Sequence, residues 1–285
     1  MLKTRVITAL VILPILLIAL FLLPNYGWAL FTLLIVAIAN WEWSRFCQLS
    51  EGGTRAYHLA SVLFSSMIFI SYNRGQFEDI PFKSLALAGF AIAAIFWIVV
   101  VPVWLLKIWR PASAWVIAFA GWVVIFPAWL ALLFLHDVSP WLLLSFAAIV
   151  WVADIAAYFV GKRFGKNKLA PAISPGKTIE GVLGGMVGVA VYFFLWQLLV
   201  ANSFVGRQAW ALDLRTSLVA LFSFFILLSV VSVVGDLFES WMKRGANLKD
   251  SSNLLPGHGG ILDRIDALTS TLPLASLYVL LQSGR

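Results

Sequence analysis

Long apolar runs alternate with short polar interruptions along the whole chain, and the runs share nearly one length. A helix crossing a bilayer needs about 20 apolar residues, and it satisfies its own backbone hydrogen bonds while doing so. By that measure nine helices are predicted, over about 6–23, 27–44, 57–72, 84–106, 114–135, 140–160, 181–201, 216–238 and 264–282. The third run is short and carries several serines, so eight spans is the alternative. The opening MLKTR ahead of an apolar stretch resembles a signal peptide. No small-residue cleavage site precedes PNYGW, however, and an uncleaved first helix is expected.

Composition agrees with the pattern. Of 285 residues 62% are hydrophobic and 12% charged, whereas soluble domains have about half apolar and about a quarter charged. A soluble globular domain is therefore excluded. The expected fold class is an all-α polytopic membrane bundle, with N-terminal helices over 1–140 and C-terminal helices over 141–285. The single Cys47 leaves no basis for a disulfide framework or a cysteine zinc site within one chain.

Charge adds sidedness. With nine spans and the amino terminus inside, all but Arg74, Lys83, Arg207, Arg215 and Arg285 of the 20 Lys and Arg fall on one side. Short cytoplasmic loops carry such an excess, and an eight-span arrangement would scramble it. The net charge of +7 is thus mostly cytoplasmic, where anionic headgroups or anionic nucleotides are the obvious partners.

Two cytoplasmic loops are long for bundle connections: 161–181, and 239–266 with its flanking helix ends. Entering the second, SVVGDLFESWMKR sets Asp236, Ser240 and Lys243 at i, i+4 and i+7 on one helix stripe, with Glu239 beside it. Leaving it, HGGILDRIDAL sets Asp263 and Asp266 at i and i+3, after Gly259 and Gly260, which allow close backbone approach. Solvated helix ends and an acidic first turn are the structural accounts of these residues. The chemical account is a Mg²⁺ site, since that ion takes one or two carboxylates plus substrate phosphates, with Lys243, Arg244, Lys249 and Arg264 neutralising phosphate oxygens. His258 is a loop histidine that either hydrogen-bonds structurally or contacts a ligand.

The first loop holds SPGKTIEG. Its GKT is not a nucleotide P-loop, because Pro171 stands where that motif needs glycine and no strand precedes it. Ser174, Lys177 and Thr178 remain candidate phosphate contacts, against a capped helix start with Glu180 in its first turn. Asp154 lies inside the sixth span with Tyr158 one turn on; it either pairs with a lysine or serves a metal or headgroup. Gly181, Gly184, Gly185 and Gly188 predict close helix packing.

At this point the residues resemble a known family. Ser240-Trp-Met-Lys243-Arg244, then Lys249-Asp250, then Pro256-Gly-His258-Gly259-Gly260-Ile-Leu-Asp263-Arg264-Ile-Asp266 is similar to the signature of the bacterial phosphatidate cytidylyltransferases, also called CDP-diacylglycerol synthases. SPGKTIEG and VVGDLFES match as well, and the resemblance is specific over about residues 150–270. It implies transfer of the cytidylyl group of CTP to phosphatidic acid, giving CDP-diacylglycerol and pyrophosphate for phospholipid synthesis. It further implies a Mg²⁺ cofactor with a second cation possible, no nucleic-acid partner, a homodimer, and an inner-membrane location with the site facing the cytoplasm. Carried onto this chain, it gives Asp236, Asp263 and Asp266 to the metal, and Ser240, Lys243 and Arg264 to the reacting phosphates. Ser174, Lys177, Thr178, Arg244, Lys249, His258, Gly259 and Gly260 are then substrate contacts. CDP-alcohol phosphotransferases are disfavoured by the lack of any Asp-Gly dipeptide. A transporter would place charge and broken helices near the bilayer midplane, not on one side.

Overall fold

The computed structural model describes residues 2–200 and 217–282, and nine helices run through them. They are α1 (Leu2–Leu22), α2 (Asn25–Cys47), α3 (Glu51–Gly75), α4 (Ile80–Leu106), α5 (Ala114–Val138), α6 (Pro140–Phe164), α7 (Ile179–Val200), α8 (Leu218–Gly245) and α9 (Leu262–Gln282). From α4 onward, six are long and apolar enough to cross a membrane. The connection between α7 and α8, with Arg207 and Arg215, lies outside the described residues, as does Arg285.

The third helix is longer than its apolar core, at 25 residues. Its serines explain why the hydrophobic signal is weak there. Tyr57, Ser61 and Ser65 form one buried stripe, while Leu59, Val62 and Leu63 face outward. Tyr57 and Ser61 both donate to Asn40 Oδ1 on α2, at 3.0 and 3.3 Å. Polar groups inside and leucines outside is the arrangement a lipid solvent favours, because buried polar atoms then find each other.

Helix α4 is continuous apart from one π-turn at Phe96–Val100. Pro102 just beyond has no N–H to donate and would crowd the carbonyl four residues back; the widened turn accommodates it. Helices α6 and α7 pack closely through the predicted glycines. A Cβ on Gly188 would stand 2.5 Å from that of Ala156, and one on Gly185 would stand 3.0 Å from the carbonyl of Ala153. The glycine stripe is thus filled by α6 of the same chain, and it lends no support to a homodimer.

The loop expected over 161–181 is partly ordered as a hairpin: β1 (Lys168–Ala170) pairs antiparallel with β2 (Ser174–Thr178). Strands this short carry no readable period. Glu180, in the first turn of α7, accepts from Lys166 N (3.1 Å), Asn167 N (3.1 Å) and Asn167 Nδ2 (2.7 Å), closing the base of the hairpin.

Contacts between connections mark the two ends of the bundle. At one end Thr8 donates to the carbonyl of Pro256 (3.0 Å), Arg45 donates to that of Ser251, and Arg110 donates to that of Trp241 (3.0 Å). At the other, Asn25 Nδ2 donates to Asp137 (2.6 Å), and His136 Nε2 lies 3.0 Å from the carbonyl of Leu20. The start of α1 and the α2–α3, α4–α5, α6–α7 and α8–α9 connections therefore share one end, as an alternating nine-helix path requires.

Candidate active site at the polar end of the bundle

Helix α8 runs two turns beyond its predicted end, so that Glu239, Ser240 and Lys243 follow Asp236 on one continuous helix. Its rotation is fixed by Phe238, whose ring sits in a box of Phe96, Trp97 and Trp104, with centroids at 5.6, 5.6 and 5.4 Å. Gly235 lets α9 come close: a Cβ there would stand 2.5 Å from Ser270 Oγ and 2.9 Å from the carbonyl of Asp266. Asp236 and Asp266 are thereby brought within electrostatic reach of one another.

Two ion-pair clusters result. In the first, Lys177 at the end of β2 lies 2.6 Å from Asp236 Oδ2, and Ser240 donates to Asp236 Oδ1 at 3.4 Å. Asp154 on α6 is in electrostatic reach of both Lys177 and Asp236. Asp154 and Asp236 thus share the ammonium of Lys177. A cavity of about 420 Å³ opens beside them, with Asp154, Lys162, Lys168, Lys177 and Asp236 on its charged wall and Ala153, Val182 and Val233 on its apolar one.

In the second cluster Lys243 lies 2.5 Å from Asp263 Oδ1 and 2.6 Å from Glu239 Oε2, all three side chains well buried. Asp263 Oδ2 accepts from Ser251 N, Ser251 Oγ and Gly260 N, each at 2.8 Å. The signature glycines are explained by these contacts. Gly259 adopts φ +83°, and a Cβ on it would stand 2.5 Å from Asp263 Oδ2. A Cβ on Gly260 would stand 2.0 Å from Ser251 Oγ and 2.2 Å from Glu42 Oε1.

A second cavity, of about 470 Å³, is formed by the α8–α9 loop itself and lined by Lys249, Asp250, Asn253, His258, Gly259 and Arg264. Lys249, His258, Gly259 and Arg264 are thus gathered as a group, apart from Lys243. Ser174 and Arg244 line neither cavity. Thr178 lines the first cavity, but its hydroxyl accepts Gly181 N at 3.1 Å, as a helix N-cap does.

Among the described residues no three His, Cys, Asp or Glu side chains form a ready-made metal cage. Mg²⁺ does not need one, since one or two carboxylates plus substrate phosphates suffice. Asp236 and Asp266 offer two carboxylates from helices in close contact, Asp236 being also paired with Lys177 and Ser240. Asp263, the third expected ligand, has both oxygens engaged by Lys243, Ser251 and Gly260.

Reading the sequence alone misses Glu42. It is a fully buried acid on α2 that accepts from Ser252 Oγ, Ile261 N and Leu262 N and shares the Ser251 hydroxyl with Asp263. A signal existed in the WEW triplet inside a predicted span, because an ionisable group there is costly unless partnered.

Fold and site together define a helical membrane enzyme with its charged chemistry at one end of the bundle. The chain belongs to the cytidylyltransferase family, which it matches over residues 3–282, and it is a nucleotidyltransferase. A phosphatidate cytidylyltransferase of Pseudomonas aeruginosa is 38% identical over 281 residues, covering 96% of this chain and 95% of the relative. Another, from Haemophilus influenzae, is 34% identical over 298 residues, covering 98% of each.

Proposed function

We propose that the chain transfers the cytidylyl group of CTP to phosphatidic acid, yielding CDP-diacylglycerol and pyrophosphate, at the cytoplasmic face of a bacterial inner membrane. The observation that carries this reading is the convergence of Lys177–Asp236 and Lys243–Asp263 from three elements, β2, α8 and α9, near two charged cavities. The cavity against α6 and α7 joins apolar walls to lysines and suits a lipid phosphate. The loop cavity, with Lys249, His258 and Arg264 in its lining beside Leu255 and Pro256, suits a nucleotide triphosphate.

An oxygen of the lipid phosphate monoester attacks the α-phosphorus of CTP. A phosphoanhydride bond forms there as the bond to the bridging oxygen of the β-phosphate breaks, and pyrophosphate leaves with that electron pair. A phosphate monoester has a second pKa of about 6, so the nucleophile is already charged at neutral pH and needs no protein base. The barrier is the meeting of two polyanions, and it is lowered by positioning and charge neutralisation. Lys177 and Ser240 orient the lipid phosphate beside Asp236; Arg264, Lys249 and His258 hold the triphosphate; Lys243 supplies positive charge between them. Asp236 and Asp266 would hold Mg²⁺, which would neutralise charge on the phosphates, while Asp263 stays with Lys243. A homodimer belongs to this reading through the family resemblance alone, and a sedimentation measurement in detergent tests it.

The deciding experiment incubates the purified full chain with labelled CTP, phosphatidic acid and Mg²⁺ and extracts the lipid, with and without chelator. Label in a chloroform-soluble product, lost with chelator, is expected. No lipid label in any arm, or equal label with chelator, overturns the reading.

A further inference from the structure

Glu42 belongs to the N-terminal half of the chain, yet its carboxylate is spent entirely on the loop that carries the family signature. Oε1 accepts from Ser252 Oγ (2.6 Å) and Ile261 N (3.0 Å); Oε2 accepts from Leu262 N (2.7 Å) and lies 3.1 Å from Ser251 Oγ. These donors come from both ends of the segment 251–262, so one carboxylate pins the segment shut at its base. Ile261 and Leu262 stand at the start of α9, where N–H groups lack partners within the helix. Glu42 supplies those partners from another helix.

The same segment sets the position of Asp263. Two of the three donors on Asp263 Oδ2 are Ser251 N and Gly260 N, one in a residue that Glu42 contacts and the other next to Ile261. Ser251 Oγ lies between the two acids, 2.8 Å from Asp263 and 3.1 Å from Glu42. A hydroxyl has one proton, so it serves one carboxylate at a time. Arg45, one turn along α2 from Glu42, donates to the carbonyl of Ser251 and ties the same residue down a second time.

We infer that Glu42 is a positioning residue for the reaction: by holding residues 251–252 and 261–262, it fixes the carboxylate of Asp263 against Lys243. The inference rests on the reading that Asp263 and Lys243 act on the phosphates. Glutamine is the informative replacement, because the amide nitrogen must face either Ile261 N or Leu262 N, neither of which can turn away. Aspartate keeps the charge on a shorter stem. Ser252→Ala removes one donor without touching Asp263.

The test uses the full chain in detergent, with amide hydrogen–deuterium exchange measured in metal-free buffer and turnover measured separately. Glu42→Gln is expected to raise exchange at 251–262 while the rest of the chain keeps its protection. It should lower kcat by about tenfold or more, because small misplacements at a reacting centre are costly, with KM for the lipid within about threefold, as for an interaction made in the transition state. Glu42→Asp should recover part of the kcat, and Ser252→Ala should lower it by about two- to fivefold. Wild-type kcat in folded Glu42→Gln overturns the inference, as does a loss of kcat with unchanged exchange at 251–262. Should Glu42→Gln fail to fold, wild-type exchange and kcat in Ser252→Ala overturn it. If the parent chain itself turned over no CTP, the proposed function would fail, while the exchange data would still report whether Glu42 holds the segment.

Discussion

The ammonium of Lys243 lies 2.5 Å from the carboxylate of Asp263, joining the last turn of α8 to the first turn of α9. The same ammonium lies 2.6 Å from Glu239, and that carboxylate has no hydrogen-bond partner besides it among the described residues. Lys243→Met would leave two buried acids facing each other without a cation. Breaking a buried pair from one side costs about 3–5 kcal/mol. A lowered thermal midpoint in detergent and loss of cytidylyl transfer are expected. Adding Glu239→Gln to Lys243→Met should restore the midpoint in part and the activity not at all. A single Lys243→Met variant that melts like the parent would show that the pair carries little of the stability.

Lys177 and Asp236 make the contrasting pair. Their side chains retain 22% and 33% exposure, and partly solvated pairs contribute about 1 kcal/mol or less. Lys177→Met should therefore melt close to the parent while losing about a hundredfold in kcat, the scale for removing one charged group from a reacting site. A turnover assay and a melt on the same preparation separate the two effects. Activity within a few-fold of the parent would remove Lys177 from the reaction.

How far these pairs were legible follows from what an apolar pattern encodes. Run length and the sidedness of Lys and Arg pointed to nine helices, and the i, i+4 spacing placed Asp236 and Ser240 on one helix stripe, where their side chains meet at 3.4 Å. The spacing also put Lys243 on the stripe of Asp236, whereas in the structure it turns to Glu239 and leaves Asp236 to Lys177. Which neighbour a charged side chain chooses depends on helix rotation. That rotation is set by distant packing, here Phe238 in its aromatic box. Glu42 and Ser251 are 209 residues apart in the chain, and no local pattern links them. The hairpin at 168–178 escaped for another reason, since its strands are too short to show alternation.

Close approach at Gly235 gives a prediction about shape. Ala at 235 would drive a methyl group to 2.9 Å from the carbonyl of Asp266, a backbone atom that moves only with α9. Such overpacking costs about 1–3 kcal/mol, and the displacement falls on Asp236 and Asp266 together. Gly235→Ala should lower both the midpoint and the activity. Gly52→Ala in the first turn of α3, where an added Cβ meets nothing within 4 Å, should leave the midpoint unchanged or slightly raised. Equal behaviour of the two variants in a thermal melt would show that α8 and α9 can part at this point without cost.

The metal assignment is tested by where the carboxylates are removed. In the proposed reading Asp236 and Asp266 hold the Mg²⁺ ion, with substrate phosphates completing its shell. Asp263 is already committed to Lys243 and to three donors on its other oxygen. Asp236→Asn and Asp266→Asn should each raise the Mg²⁺ concentration for half-maximal activity by about tenfold or more, the scale on which altered metal sites lose affinity. In Asp263→Asn the amide oxygen can still accept from Ser251 and Gly260, which turns the amide nitrogen toward Lys243. That variant should keep the fold of the loop and lose activity at every Mg²⁺ concentration. A Mg²⁺ titration of the three proteins distinguishes the roles. If Asp263→Asn alone were rescued by excess Mg²⁺, the ion would belong with Asp263, and the Lys243 contact would be what the substrates displace.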